Sequence, residues 1–253
     1  GTRGRSLAVI AGAWAVVLGT RMVYPVLLPS LRDAFGLSLT AAGALVTVLW
    51  LGSALGQFPG GVLADRRSER LVLAVSPVVT AAGVLAVLLA PTPLALFAAT
   101  AVLGLGISLY PIARITALSD LFPDRLGSAL GVTMASGDVG QMVLPPVAGV
   151  AAAAVAWQLG LGFVVPLLLV AAVGLWLAVP PPSALGPADG EAGEAEPSIR
   201  ETLSDIPWRD IGPVAVVLLL YVGVWQSFTG FYPTYLVDVK GLSPAAAGAA
   251  FSV

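Results

Sequence analysis

The chain of 253 residues is 58% hydrophobic and 10% charged, with a net charge of -2 and a mean hydropathy of +0.95. A soluble domain carries about 25% charged residues, so this composition describes a protein that crosses a bilayer several times. With no cysteine and no histidine, disulfide frameworks, thiolate metal sites and Ser-His or Cys-His catalysis are excluded, and Lys240, the single lysine, follows no glycine-rich loop that could cradle the phosphates of ATP.

Counting about 20 apolar residues per crossing predicts spans over 7–31, 40–63, 71–90, 94–118, 126–155, 159–179 and 211–236, with the start of an eighth at Leu242. The apolar run from Leu7 is too long for a signal peptide. Five ionisable residues fill six positions between the second and third spans, at Asp65, Arg66, Arg67, Glu69 and Arg70. Unpaired charges at the centre of a membrane helix cost about 2.5–3.5 kcal/mol each, so this segment is a loop outside the hydrocarbon. A second polar loop follows at 119–125. An N-terminus inside the cell collects Arg3, Arg5, Arg66, Arg67, Arg70, Arg125, Arg200 and Arg209 on the cytoplasmic side and leaves Arg32 and Lys240 outside, as the positive-inside rule requires.

Residues 180–210 change in character. Pro180-Pro-Pro and a Gly-, Ala- and Glu-rich stretch predict a cytoplasmic linker. It ends in Ser198-Ile-Arg-Glu201, a capping box that opens a short amphipathic helix. The expected organisation is thus all-α: a six-helix membrane bundle over 1–179, the linker over 180–210, and an incomplete second bundle over 211–253. That second bundle repeats the first. Tyr24-Pro25, Gly36-Leu37-Ser38 and Ala41-Ala42-Gly43 are matched by Tyr232-Pro233, Gly241-Leu242-Ser243 and Ala246-Ala247-Gly248. Two bundles related by a parallel repeat would give this pattern.

Six helices, a polar linker, a repeat, and Gly61-x-x-x-Asp65-Arg66-x-x-x-Arg70 between helices two and three resemble the major facilitator superfamily of secondary transporters, with Ser68 and Glu69 standing where that family usually has Gly and Arg. The resemblance implies twelve spans, of which this chain holds the N-terminal half and the start of the second. It implies a multi-pass protein of the cell membrane that works by alternating access and is not an enzyme. In the fifth span Gln141 and Pro145 replace the two leading glycines of the exporter motif, with Pro146 and Gly149 kept, so that signature is incomplete; the fourth-span arginine of many proton-coupled members falls at Thr100 and is absent. Arg21, ahead of Pro25-x-x-x-Pro29, is similar to the first-span arginine of the anion:cation symporter branch. The expected partners are therefore a small organic anion, a proton as coupling ion, the lipid bilayer, and the missing second half; no cofactor, metal or nucleic acid is expected. A proton-antiporting exporter of the same fold is the alternative, and a seven-helix receptor a remote one, since Lys240 falls in a loop where a retinal protein would need a lysine within its seventh span.

Individual residues follow from the cost of polar groups in lipid. Arg21, mid-span, can clamp a carboxylate bidentately, with Tyr24, Tyr110, Gln141, Trp225 and Gln226 as cavity-lining partners. Asp138, mid-way along the fifth span, is the expected proton carrier; sodium coordination or an ion pair with Arg21 are the alternatives. Gly61, Asp65, Arg66, Arg70 and Asp120 form an expected latch, with Arg66 or Arg70 reaching Asp120 in one arrangement of the bundles only; a solvated turn that merely sets topology is the bland alternative. Arg114, near the end of the fourth span, snorkels on a structural reading. Glycines at four-residue spacing, 52/56/60 and 127/131, permit close helix approach.

Overall fold

The structure is a computed structural model describing residues 2–66, 68–181 and 208–251, and every regular element among them is helical. The helices are α1 (Thr2–Phe35), α2 (Leu39–Arg66), α3 (Glu69–Leu88), α4 (Pro93–Leu121), α5 (Leu126–Ala154), α6 (Trp157–Gly162), α7 (Val164–Ala178), α8 (Trp208–Asp238) and α9 (Pro244–Phe251), with a 3-10 turn at Pro123–Arg125. Chain direction alternates, so one face of the bundle gathers the start of α1, the α2–α3 and α4–α5 turns and the end of α7. We call this the linker face and the other the far face.

Local chemistry places the boundaries. The Ser38 hydroxyl accepts from the Ala41 amide, Ser68 from Leu71 and Thr92 from Ala95, each satisfying a donor that the first helical turn leaves free. Pro93 follows its cap at the first position of α4, where a missing N–H costs nothing. The expected sixth span is two helices meeting at Phe163. Pro166 explains the break, because it has no N–H for the carbonyl of Gly162 and its ring crowds that carbonyl. The amphipathic helix expected at the end of the linker lies outside the described residues.

By length and hydropathy α1, α2, α3, α4, the α6–α7 pair and α8 can each cross a membrane. The 29-residue α5 is not among them, because Asp138, Gln141 and its glycines dilute its apolar character. It is held by packing instead: α5 lies along α1, α2 and α3 both pack on α4, and α7 closes against α1 and α3. The core they enclose runs from Ile10 and Val17 on α1 through Leu45 and Leu49 on α2 to Leu103 and Ile107 on α4.

Glycine sets how close these helices come. A Cβ on Gly140 would fall 2.0 Å from the Ala15 carbonyl oxygen, one on Gly104 2.4 Å from that of Leu49, and one on Gly52 2.8 Å from that of Ala101. The 52/56/60 stripe thus seats α2 on α4, as small residues do where no hydrophobic force drives helices together. Gly127 and Gly131 have nothing within 4 Å of a would-be Cβ, so their spacing serves no helix contact here.

The repeat is built twice in detail. Gly36 and Gly241 end α1 and α8 with φ of 61° and 66°, the left-handed conformation that side chains with a Cβ resist. After each, a serine caps the next helix: Ser38 to Ala41 at 3.1 Å and Ser243 to Ala246 at 3.2 Å. The second repeat meets the first through α8 against α1 and α9 against α5.

Candidate functional site

The three best-placed arginines of the bundle have found aromatic rings in place of carboxylates. Arg21, close to the midpoint of α1, stands 4.6 Å from the centroid of Trp50 on α2. Arg114 on α4 stands 4.4 Å from Trp14 on α1, and Arg70 on α3 stands 4.3 Å from Trp176 on α7. A desolvated guanidinium over an indole face gains about 2 kcal/mol, which a chain with few acidic groups in its spans uses to carry buried charge.

Trp50 connects Arg21 to a cavity. Between α2 and α8 lies a space of about 490 Å³, walled by Gly43, Val46, Thr47, Trp50 and residues 51 and 54 on one side and by Val222, Gln226, Ser227 and Phe231 on the other. Arg21 is half-buried behind Trp50. Its Nε and the Nε1 of Trp50 are both buried with no hydrogen-bond partner among the described residues. Trp50 lines the crevice and Arg21 lies behind it, and buried donors without partners are costly unless an acceptor arrives to meet them. Gln226, expected from the sequence, does line this space, while Trp225 beside it is exposed on the outer surface of α8.

Tyr24 and Tyr110 do not line this crevice. Both are wholly buried in the bundle core. Thr100 Oγ1 donates to the Leu96 carbonyl, so the Tyr24 hydroxyl donates to Thr100. Tyr110 donates to the Ile10 carbonyl at 2.8 Å, and its ring stacks on Trp14, whose other contact is Arg114. Arg114 itself is buried and donates to Thr133 at 2.9 Å, so it joins α1, α4 and α5 and does not snorkel. These hydroxyls are consumed by the scaffold because a polar tip inside lipid-embedded packing must find a partner within the protein.

Asp138 and Gln141 occur together on α5, with Gln141 Nε2 donating to the Asp138 carboxylate at 3.4 Å. Asp138 is exposed and not paired with Arg21. The latch residues are also dispersed. Gly61 packs near Ile112, Asp65 and Arg66 close α2 with side chains outside the described set, and Asp120 is exposed at the end of α4. Arg70 turns away from Asp120 and donates to the Trp176 carbonyl, capping the C-terminus of α7, where carbonyls lack helical partners. The Arg70–Asp120 contact is absent from this arrangement.

One ion pair is present among the described residues, and sequence reading missed it. Arg32, in the last turn of α1, binds Asp238, the last residue of α8. It ties the two repeats together at the far face. Arg32 had counted only as a charge on the sparse side of the topology, although both residues lie just before the repeated Gly-Leu-Ser, where the internal repeat would have placed them side by side.

The described residues form a bundle of membrane-length helices with an internal repeat, a mainly apolar crevice between α2 and α8, and an ion pair joining α1 to α8, the build of a multi-pass membrane protein. The profile of the Major Facilitator Superfamily matches residues 9–253, and the chain belongs to that family. It is 27% identical over 220 residues to a hexuronate transporter of Bacillus subtilis (strain 168), covering 85% of this chain and 52% of the relative. It is 36% identical over 124 residues to an uncharacterized 38 kDa protein of Thermoproteus tenax, covering 47% of this chain and 32% of the relative. Among solved structures, a bacterial homologue of the human lysosomal transporter Spinster, in an inward-facing and unoccupied conformation, superposes with a TM-score of 0.76 at 17% identity over 98% of this chain and 58% of its own. A D-xylose–proton symporter superposes with a TM-score of 0.66 at 17% identity, over 98% of this chain and 64% of its own. The chain thus spans about half the length of the hexuronate transporter that it resembles.

Proposed function

We propose that the chain forms the first half and the opening of the second half of a secondary active transporter that takes up a small organic anion of the sugar-acid class together with protons. The observation that carries the anion is the pair of unpaired buried donors, Arg21 Nε and Trp50 Nε1, beside a crevice between repeats. A carboxylate accepts from both, and the guanidinium supplies its charge. The resemblance to a hexuronate transporter supports the same class. Asp138, which among the described residues pairs with no arginine and accepts from the Gln141 amide, is the proton carrier in this reading.

The N-terminus and linker face are cytoplasmic, in the cell membrane, by the distribution of arginines. The Arg32–Asp238 pair then joins α1 to α8 at the outside, the half of the bundle in which the crevice between α2 and α8 also lies. The latch around Gly61, Asp65, Arg66, Arg70 and Asp120 engages when the linker face closes and Arg70 is released from α7 to reach Asp120. Division into a bundle over 1–179, a linker over 180–210 and a second bundle from 211 follows from this scheme, with a small-molecule cargo and the rest of the second bundle as partners.

Uptake of labelled glucuronate into proteoliposomes, with the second half of the transporter present, tests the reading. Uptake driven by an inwardly directed proton gradient, lost in Arg21→Gln, is the expected result. Uptake unaffected by Arg21→Gln would remove the anion clamp.

A further inference from the structure

At the linker face, beside the start of α1, lies a crevice of about 230 Å³ that the transport scheme does not use. Arg3, Ser6, Arg70, Leu121 and residues 177–181 at the end of α7 line it. It contains two guanidiniums and no carboxylate. A neighbouring crevice of about 260 Å³ shares Arg3 and adds Arg125 with Asp124, so Arg3 lines both crevices.

Arg70 is only partly spent here. Its Nη2 meets the Trp176 carbonyl, which answers the negative end of the α7 helix, while its Nε is buried and unpaired. Arg3 makes no ion pair among the described residues. Among the described residues that line the crevice, the two arginines therefore face no carboxylate.

The surroundings indicate where the counter-charge comes from. Val170, Val173 and Leu177 are exposed at spacings of three and four, forming one apolar track along the outer face of α7 that ends at the crevice. Trp176, half exposed beside that track, sits at the helix end, as tryptophans do at the boundary between acyl chains and headgroups. A soluble anion would use the arginines alone. A phospholipid would use both features, its phosphate on Arg3 and Arg70 and an acyl chain along the track.

We propose that this crevice is a binding site for an anionic phospholipid, held by its headgroup phosphate between Arg3 and Arg70. The inference is independent of the cargo. The test titrates the purified chain in detergent with phosphatidylglycerol or with phosphatidylcholine of the same acyl chains, and counts lipid adducts by native mass spectrometry. Two arginines facing an anionic headgroup predict a preference for phosphatidylglycerol of roughly 30-fold. Arg3→Gln should reduce it about fivefold, and Arg3→Lys should retain it. Because Arg3 is exposed and outside the core, these variants leave the unliganded melting temperature unchanged, and the preference of the wild-type chain is decisive by itself. Equal adducts of the two lipids overturn the proposal. So does a preference that survives Arg3→Gln, or displacement of the lipid by excess inorganic phosphate, which would make this a site for a free anion.

Discussion

Removing the carboxylate at the far face, by Asp238→Asn, tests the closure of the two repeats. Arg32 keeps 22% of its side-chain surface exposed and Asp238 40%, so the pair is neither buried nor free in solvent. Exposed pairs are worth about 0.2–1 kcal/mol, and the mostly covered Arg32 places this one near about 1 kcal/mol. That changes the odds of an open far face by about fivefold. The chain has no native cysteine, so a single Thr47→Cys in the wall of the crevice can be labelled with an impermeant maleimide on intact cells without background. If opening precedes labelling and is rapidly reversible, Asp238→Asn should speed the reaction about fivefold, and the charge-swapped pair Arg32→Asp with Asp238→Arg should return it to the original rate. High salt, which screens an exposed pair, should raise the wild-type rate and leave the variant unchanged. A rate insensitive to Asp238→Asn at low salt would show that the ion pair does not hold the far face closed.

Charge-assisted hydrogen bonds of about 1.5–3 kcal/mol predict that Arg21→Gln weakens glucuronate binding by roughly 10- to 150-fold in equilibrium dialysis, while Trp50→Phe, which removes one donor and keeps a ring, weakens it less. Asp138→Asn should abolish uptake driven by a pH gradient while leaving exchange of internal for external cargo intact; gradient-driven uptake that persists would exclude Asp138 as the proton carrier. Gly140→Ala forces a Cβ to within 2.0 Å of a backbone oxygen and should cost about 1–3 kcal/mol or more in stability, read as a lower melting temperature in detergent. Gly131→Ala, where nothing lies within 4 Å, should leave melting unchanged or raise it through helix propensity worth about 1 kcal/mol.

Much of the fold was readable because membrane burial imposes a strong pattern. Charge cannot enter lipid unpaired, so the clusters at 65–70 and 119–125 marked turns within a few residues of where α2 ends and α5 begins. The repeat was equally visible, since a left-handed glycine followed by a capping serine is a local requirement that recurs whenever the geometry does. The site was only half legible. Gln226, selected for the cost of its polar group, lines the crevice, yet the same argument also selected Tyr24 and Tyr110, whose hydroxyls are satisfied within the scaffold by Thr100 and Ile10. Sequence spacing along one helix says which residues share a face; it does not say whether that face meets a cavity or another helix.

The sequence by itself determined that the chain spans a membrane, where it turns, which end carries the positive charge, and that its second part copies its first. Those properties depend on transfer of residues from water to lipid and on local backbone chemistry, and both act on short segments. Only the tertiary structure decided that arginines rest on Trp50, Trp14 and Trp176, that Arg70 caps α7 in place of pairing with Asp120, and that Arg32 meets Asp238 across 206 positions of sequence. Each of those contacts joins different helices, and their registers are set by how closely glycines such as Gly104 and Gly140 let the backbones approach.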